Sequence, residues 1–256
     1  MIPMWPGVGA LRVWQRDLEV WKRFWRPFLV ASLGNPIFYL VSIGYGLGRF
    51  VADIDGLPYV VFLTPGILAS SAMNSASFEV TFGSLTRLQE QNTYTAILAT
   101  PCSVADIVAG DILFAATKSV VSVFFVLLVT GLAGLLPSLL SIVTLPVALL
   151  TGLAFASLGM VATATARSYS FFDYYFTLGI SVMLFFCGVF FPLSSLPGWA
   201  QTLAWFLPLT HAVRLNRALV AGAPTLSLFG DACWLAVAVV GGFVIAERLI
   251  RRRLIL

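Results

Sequence analysis

Charged residues are scarce in this sequence. They make up 10% of its 256 residues, whereas 59% are hydrophobic and the mean hydropathy is +0.96. Soluble globular domains carry about a quarter charged residues, so the shortage of charge excludes an ordinary water-soluble fold. A helix of about 20 apolar residues crosses the roughly 30 Å hydrocarbon core of a bilayer. The composition therefore predicts an all-α integral membrane protein.

Histidine and cysteine, which supply many catalytic and metal sites, are also rare. The sequence holds one histidine, His211, and three cysteines that lie far apart, Cys102, Cys187 and Cys233. This spacing matches no metal site, and His211 has no second histidine to work with. We therefore expect no catalytic residue and no metal site, and we interpret the cysteines as small buried hydrophobic residues.

A nucleotide-binding loop is missing as well. The string ATKS at 116–119 ends like a phosphate-binding loop, but the glycine before Lys118 and the glycine frame that precedes it are absent. The chain therefore binds no ATP by this route, and we expect no cofactor on it. Any work driven by ATP would need a motor on another polypeptide.

Long runs without charge predict six membrane spans. They lie at about 27–48, 59–82, 106–133, 139–164, 173–191 and 227–247. Basic residues concentrate before the first span and after the last, and few lie in the connections of the opposite face. Because basic residues favour the cytoplasmic side, this bias places both termini in the cytoplasm. The net charge of +4 then reflects topology, and nucleic-acid binding is not expected.

Residues 5–26 are predicted to form an amphipathic helix at the membrane surface. A basic arc adjoins an apolar arc that consists of Leu11, Trp14, Leu18, Trp21 and Trp25. Such a helix binds the lipids of an anionic cytoplasmic leaflet. It serves either as an anchor alone or as an anchor that also contacts a cytosolic partner.

Residues 84–100 lie in the one sizeable polar insertion on the predicted cytoplasmic side. Its hydrophilic patch consists of Arg87, Gln89, Glu90, Gln91 and Asn92, and Thr93 and Tyr94 follow. The pattern favours a helix that lies across the membrane face and docks a partner. The alternative is a solvated hairpin that joins the second and third spans.

Segment 192–222 is apolar but is interrupted by prolines at 192, 197 and 208. Proline breaks a helix, and broken backbone at the depth of the lipid must be covered by protein or by a water-filled cavity. The segment is therefore predicted to be re-entrant, on the outer side, before the sixth span.

Four side chains are candidates for a substrate pathway: Lys118, His211, Arg214 and Arg217. The last three share one helical face, which either holds a phosphate or sugar-acid headgroup or caps carbonyls left open by the broken helices. Lys118 lies mid-span, two turns after Asp111 on the same face, and an ionisable residue within a membrane is a functional candidate. Its alternatives are a structural ion pair and snorkelling toward the cytosol.

In this order, these features resemble the permease subunits of type-2 ABC exporters. The matching strings spread over nearly the whole chain: YGLG at 45–48, ATKS at 116–119, LTGLAFASLGMV at 150–161, FPLSSLP at 191–197, FLPLTHA at 206–212 and RRRL at 251–254. FPLSSLP and PLTHA are specific to the superfamily, and the other strings are similar to its nodulation-factor export branch. The resemblance implies a single transmembrane domain over 1–256.

The resemblance also implies partners and a mechanism. Two copies of the permease would form a dimer, and each copy would engage a cytosolic ATPase subunit that holds ATP and Mg²⁺. Closure of the ATPases would push on 84–100, the coupling helix, and rock the helices. The implied substrates are amphiphiles such as lipo-oligosaccharides, glycolipids and lipids. Efflux of drugs through the same fold is an alternative, as are a membrane enzyme that acts on lipid headgroups and an assembly subunit.

Overall fold

The computed structural model describes residues 5–51, 53–54 and 56–255. Over these ranges the chain is helical and contains no strand, apart from an isolated bridge between Ile54 and Leu57. The all-α prediction is thus confirmed for the described residues. The single domain predicted over 1–256 also includes positions 1–4, 52, 55 and 256, which lie outside them.

Twelve α-helices follow one another along the described chain. They are α1 (Gly9–Trp21), α2 (Trp25–Phe38), α3 (Tyr59–Phe78), α4 (Ser84–Gln89), α5 (Thr93–Leu98), α6 (Val104–Leu132), α7 (Thr144–Thr165), α8 (Phe171–Tyr174), α9 (Ser181–Phe186), α10 (Gly198–Phe206), α11 (Pro208–Val220) and α12 (Ser227–Ile255). Wider π-helical turns extend α2 through Tyr39–Gly46, join α3 to α4 through Glu79–Gly83 and join α8 to α9 through Tyr175–Ile180. Short 3₁₀ turns occur at Leu47–Arg49, Leu139–Val143 and Leu193–Ser195.

Four helical stretches within the described part of the chain are long and apolar enough to cross a membrane. They are Trp25–Arg49, Val104–Leu132, Leu139–Thr165 and Ser227–Leu254, which correspond to the first, third, fourth and sixth predicted spans. The second predicted span falls on α3, where Ser70, Ser71 and Asn74 add polarity. The fifth falls on Phe171–Phe186, an apolar helix shorter than a bilayer requires. A multi-pass membrane protein is confirmed, and the count of six stays a prediction.

The first helix is shorter than predicted. It ends at Trp21, and Trp25 already belongs to α2.

The start of α1 is held to α6 by Asp106, a residue in the first turn of α6. The Ser103 hydroxyl accepts the Asp106 N–H (3.2 Å) while Asp106 Oδ2 accepts the Ser103 N–H (2.9 Å), which forms a capping box at the start of α6. The second carboxylate oxygen of Asp106 accepts the N–H of Gly7 at 2.6 Å, just before α1.

The core lies where α3, α6, α7 and α12 pack together, with α11 against them. Small side chains allow these helices to approach closely, as in other membrane bundles. At Gly242 of α12, an added Cβ would lie 2.7 Å from Cβ of Ser157 on α7. At the neighbouring Gly241, an added Cβ would meet nothing within 4 Å. The contact between α7 and α12 thus depends on glycine at position 242.

This pair of glycines provides a matched test of the packing. We expect Gly242→Ala to destabilise the purified protein by about 1–3 kcal/mol, because the methyl group overpacks the helix contact. Gly241→Ala should leave stability unchanged or raise it, because alanine favours the helix and the position is open. Thermal unfolding in detergent measures both. Equal effects of the two substitutions would contradict the close approach of α7 and α12.

Candidate functional site

A network of buried charges joins the end of α3 to α4 and α6. Lys118 Nζ on α6 donates to Oε2 of Glu79 at 2.5 Å. Two guanidinium nitrogens of Arg87 each donate to Oε1 of Glu79 at 3.0 Å, and one also reaches Oδ2 of Asp111 at 3.3 Å. Lys118 therefore does form a structural ion pair, but with Glu79, 39 residues away, and not with Asp111. Each charge offsets the desolvation of its partner.

Asp111 extends this network to α5. It is fully buried, and its Oδ2 accepts hydrogen bonds from the hydroxyl of Ser84 (2.6 Å) and from the hydroxyl of Tyr94. Because Tyr94 is 1% exposed, α5 is fastened to α6 by the tyrosine side chain. We call the side chains of Glu79, Arg87, Tyr94, Asp111 and Lys118 the polar cluster.

The seven predicted coupling residues divide into two groups. Arg87 and Tyr94 belong to the polar cluster, and Thr93 is half-buried. Four side chains remain on the surface: Gln89, Glu90, Gln91 and Asn92. The structure divides 84–100 into α4 and α5 at Asn92, whose φ of 51° reverses the chain in the left-handed region that asparagine tolerates. The exposed patch is therefore a turn between two short helices.

Helix α1 lies against α6 mainly through a face beside the predicted stripe, and one member of the stripe also contacts α6. Its buried residues are Ala10, Val13 and Asp17, whereas Leu11 is 53% exposed. The indole N–H of Trp14 donates to the hydroxyl of Thr117 on α6 at 3.0 Å. The helix is thus bound to the protein along one side and leaves Leu11 available to lipid.

A groove of about 600 Å³ lies beside the polar cluster, between α2, α3 and α6. Its polar wall carries hydroxyl and amide side chains, which are Asn35 of α2, Ser70, Ser71, Asn74 and Ser75 of α3, and Ser122 of α6. Its aromatic lining consists of Phe28, Tyr39, Phe78 and Phe176. Lys118 also lines the groove, and its Nζ lies 4.5 Å from the centroid of the Phe28 ring.

The polar wall retains hydrogen-bonding capacity. The hydroxyl oxygens of Ser71 and Ser122 lie 2.8 Å apart, and Nδ2 of Asn74 donates to the carbonyl of Ser70 at 2.9 Å. An amide has two N–H donors and an acceptor oxygen, so Asn74 can bond further groups. A groove with polar groups on one side and aromatic rings on the other matches an amphiphile.

His211 and Arg214 share a carboxylate at the start of α12. Nδ1 of His211 lies 2.7 Å from Oδ1 of Asp231, and its Nε2 lies 2.8 Å from the carbonyl oxygen of Trp205. Both ring nitrogens of His211 thus lie within hydrogen-bonding distance of a protein oxygen. Arg214 reaches the same carboxylate oxygen at 3.2 Å. His211 is 2% exposed, and this pairing leaves neither nitrogen for acid–base work.

Arg217 lies apart from that pair. Its guanidinium donates to the carbonyl of Gly188 at 2.9 Å and lies 4.1 Å from the centroid of the Phe62 ring. This contact matches the carbonyl-capping interpretation. The predicted headgroup face is therefore divided, because Arg217 binds a backbone carbonyl and His211 and Arg214 bind Asp231. Within the described residues, no group of three or more His, Cys, Asp or Glu side chains could hold a metal ion.

Comparison with known proteins identifies the family. The model of the ABC-2 type transporter family matches residues 10–220, which is most of the chain. The chain belongs to the ABC-2 type transporter family. Its match begins in α1 and ends with α11, so it includes the polar cluster, the groove and the broken segment before α12.

Individual relatives of this ABC-2 transporter chain cover nearly its full length. It is 40% identical to nodulation protein J of Rhizobium leguminosarum bv. viciae over 248 residues, which cover 97% of this chain and 96% of that protein. It is 38% identical to nodulation protein J of Rhizobium meliloti (strain 1021), over 97% and 95% of the two chains. The inner membrane transport permease YadH of Escherichia coli (strain K12) is 24% identical, over 96% and 95%.

Sequence reasoning missed two acids that organise the ABC-2 chain: Asp17 and Glu79. Glu79 lies inside the second predicted span, and an acid within a span is itself a signal of a functional or paired residue. Asp17 lies one helical turn after Val13 and two turns after Ala10, so its position places it on the same buried face of α1. Asp231, by contrast, is recognisable from the sequence as the only acid close to His211, and the structure pairs the two side chains.

Removing the central carboxylate tests the polar cluster. Glu79→Gln leaves the charges of Lys118 and Arg87 without their shared partner, so we expect destabilisation by about 3–5 kcal/mol. Glu90→Gln removes an exposed carboxylate from the same connection and should change stability by less than about 0.5 kcal/mol. Thermal unfolding of the two variants in detergent distinguishes them. Parental stability of Glu79→Gln would contradict the central role of Glu79.

Proposed function

We propose that this chain is the permease subunit of an ATP-driven exporter that moves an amphiphilic substrate out across the bacterial inner membrane. The observation that carries the proposal is the groove beside Lys118, which presents hydroxyls and amides next to aromatic rings inside a chain of the ABC-2 transporter family. Polar side chains within the lipid-spanning region are costly unless they bind something. A substrate that is part polar and part apolar satisfies both walls.

Within this class, a lipo-oligosaccharide or another glycolipid fits better than a purely hydrophobic compound. A sugar headgroup offers hydroxyls to Asn35, Asn74 and the serines, and an acyl chain fits the aromatic side. Similarity to two proteins named nodulation protein J supports the same choice. Efflux of hydrophobic drugs would use only the aromatic lining and would leave the polar wall without a partner.

Energy reaches the groove from a separate ATPase that holds ATP and Mg²⁺. Two permease copies and two ATPase subunits form the proposed exporter, and the ATPase contacts the exposed turn Gln89–Asn92. Helix α4 continues from α3 through the π-helical turn, and Arg87 and Glu79 attach it to Lys118 on α6. Because Lys118 also lines the groove, a push on this turn displaces a groove wall.

The proposed orientation places both termini in the cytoplasm and six spans in the membrane. The arginines of the N-terminal helix then face anionic lipid, and segment 192–222 caps the outer end as a re-entrant element. Helices α10 and α11 meet at Leu207, before Pro208, which is the break that a re-entrant segment needs. The membrane domain in this proposal extends over 1–256.

An enzyme that acts on lipid headgroups receives no support from the geometry. Its acid–base group would be His211, whose two ring nitrogens contact Asp231 and the carbonyl of Trp205 and which is nearly inaccessible. Arg214 is 41% exposed at its side chain, but its guanidinium is already paired with Asp231.

The contact with the ATPase is tested on the exposed turn. Replacing Gln89, Glu90 and Gln91 together by alanine should lower ATP-driven export in reconstituted vesicles by about tenfold or more, since about 1.4 kcal/mol of docking energy suffices for that loss. The thermal stability of the permease should fall only slightly, because the three side chains are exposed and the hydrogen bonds that they lose, to the carbonyl of Arg167 and from the hydroxyl of Tyr169, lie at the surface. Gln201→Ala, an exposed substitution on α10, is the control and should export normally. Full export by the triple variant would contradict docking at this turn.

The groove is tested with two substrates on one variant. Asn74→Leu removes hydrogen bonds worth about 1–1.5 kcal/mol, so the KM for a lipo-oligosaccharide should rise by about tenfold. Export of a hydrophobic dye should not slow, because the aromatic lining is intact. Transport by vesicles that contain the permease and its ATPase measures both. If Asn74→Leu lost export of the dye and kept export of the lipo-oligosaccharide, drug efflux would be favoured over glycolipid export.

A further inference from the structure

Another cavity, of about 680 Å³, lies between α1, the π-helical turn Glu79–Gly83, α4 and α6. We call it the α1 cavity. It shares no lining residue with the groove beside Lys118, so the two sites are distinct. Its charged lining consists of Arg16, Asp17, Glu79 and Arg87, and its apolar lining consists of Val20, Trp21, Phe24, Phe82 and Phe114.

Three polar atoms of residues that line the α1 cavity are buried without a hydrogen-bond partner among the described residues. They are Oδ2 of Asp17, Nε of Arg87 and Nε1 of Trp21. Asp17 is only 3% exposed, and its other oxygen, Oδ1, accepts from Nε of Arg16 at 3.0 Å. Buried polar atoms in proteins nearly always have a partner. The cavity therefore presents one unpaired acceptor and two unpaired donors.

The charges that line the α1 cavity balance one another. Arg16 pairs with Asp17, and Arg87 pairs with Glu79. A purely anionic ligand would be repelled by Asp17 and would leave its Oδ2 without a donor. A simple cation would leave the N–H groups of Trp21 and Arg87 without an acceptor. A single ligand satisfies all three atoms if it carries a cationic donor at one end and an anionic acceptor at the other.

We propose that the α1 cavity binds the headgroup of a phospholipid that carries a primary ammonium and a phosphate. The ammonium donates to Oδ2 of Asp17, and the phosphate accepts from Nε1 of Trp21 and Nε of Arg87. Each hydrogen bond is assisted by charge, because an ion takes part in all three. The site does not depend on the proposed export function or on which membrane face α1 occupies.

The apolar lining indicates that the ligand belongs to the membrane. Val20 is 55% exposed and Phe24 is 64% exposed, although both residues line the cavity. An acyl chain that extends from a bound headgroup covers such side chains. Helix α1 also has the amphipathic pattern of a helix at the membrane surface, which is the depth of lipid headgroups. A soluble phosphate compound would leave these side chains uncovered.

The bound lipid joins two helices that make few contacts of their own. Asp17 and Trp21 belong to α1, whereas Arg87 belongs to α4, next to the exposed turn. The start of α1 is already held to α6 through Gly7 and Asp106. The lipid therefore fastens the opposite end of α1, where no other hydrogen bond satisfies the indole of Trp21.

Two lipids that differ only at the nitrogen test the site. Dioleoyl phosphatidylethanolamine and dioleoyl phosphatidylcholine share the phosphate and the acyl chains, but the choline nitrogen has no N–H. Each lipid is titrated into delipidated full-length protein in detergent, and native mass spectrometry measures the Kd of the first bound lipid. We expect the ethanolamine lipid to bind about tenfold more tightly, because choline cannot donate to the carboxylate.

Three results of this titration would overturn the proposal. Equal affinities would show that no N–H donor is recognised. Tighter binding of the choline lipid would mean that the nitrogen lies against aromatic rings and not against Asp17. Tighter binding of dioleoyl phosphatidylglycerol, which has no cationic group, would mean that the arginines attract an anion and that the carboxylate takes no part.

The headgroup without its acyl chains separates a lipid from a soluble ligand. Glycerophosphoethanolamine carries the same ammonium and phosphate. We expect its Kd to be weaker than that of the lipid by about a hundredfold or more, because it buries no acyl chain. Competition at the same concentration as the lipid would overturn the assignment to a membrane lipid.

Substitutions locate the two ends of the headgroup. Asp17→Asn removes the carboxylate, so the preference for the ethanolamine lipid should fall to about twofold or less. Trp21→Phe keeps an aromatic ring but removes the N–H, so both lipids should bind about threefold to tenfold more weakly with the preference retained. Trp25→Phe alters a tryptophan outside the cavity and should bind both lipids as the parent does.

The variants can contradict the proposal independently of each other. A parental preference for the ethanolamine lipid in Asp17→Asn would exclude Asp17 as the partner of the ammonium. Unchanged binding of both lipids by Trp21→Phe would exclude the phosphate contact. If Asp17→Asn does not fold, the comparison of the two lipids on the parent protein and on Trp21→Phe still decides the question.

Discussion

Charge pairing in a low-dielectric interior is the constraint on which the arrangement of this protein depends. Glu79 binds Lys118 and Arg87 at once, and each of these cations would cost several kcal/mol if it stood alone in the bundle. The three side chains must therefore stay within hydrogen-bonding distance, which holds α3, α4 and α6 in register. Asp111 extends the same requirement to α5 through Tyr94. Apolar packing fills the remaining space, but it does not by itself select one register among similar ones.

The polar cluster also explains how a movement at the surface can reach the groove. In the proposed exporter, force enters at the exposed turn Gln89–Asn92, which begins at the end of α4. That helix continues from α3, whose serines and Asn74 form the polar wall of the groove. Lys118 is part of the polar cluster and also lines the groove. A rigid helix and a chain of ion pairs thus provide a continuous physical connection between the two places.

Much of the helical plan could be predicted, because apolar runs of span length have few other uses. The same reasoning assigned Arg87 and Tyr94 to an exposed docking patch, although both side chains face inward. It also described α1 only by a tryptophan stripe that binds lipid, and not by the face of Ala10, Val13 and Asp17 that packs on the protein. These differences share one cause. Local patterns report whether a residue is polar, but they do not report whether a polar residue finds its partner within the chain or in water.

The sequence by itself determined the membrane class, the helices and the family, since hydropathy, proline positions and short motifs are local properties. Only the tertiary structure decided the partner of each charge. Glu79 and Lys118 are 39 residues apart, Asp111 and Tyr94 are 17 apart, and His211 and Asp231 are 20 apart. Such pairs form when helices pack, because the energy of an ion pair depends on distance in space and on the exclusion of water, and neither is encoded in spacing along the chain.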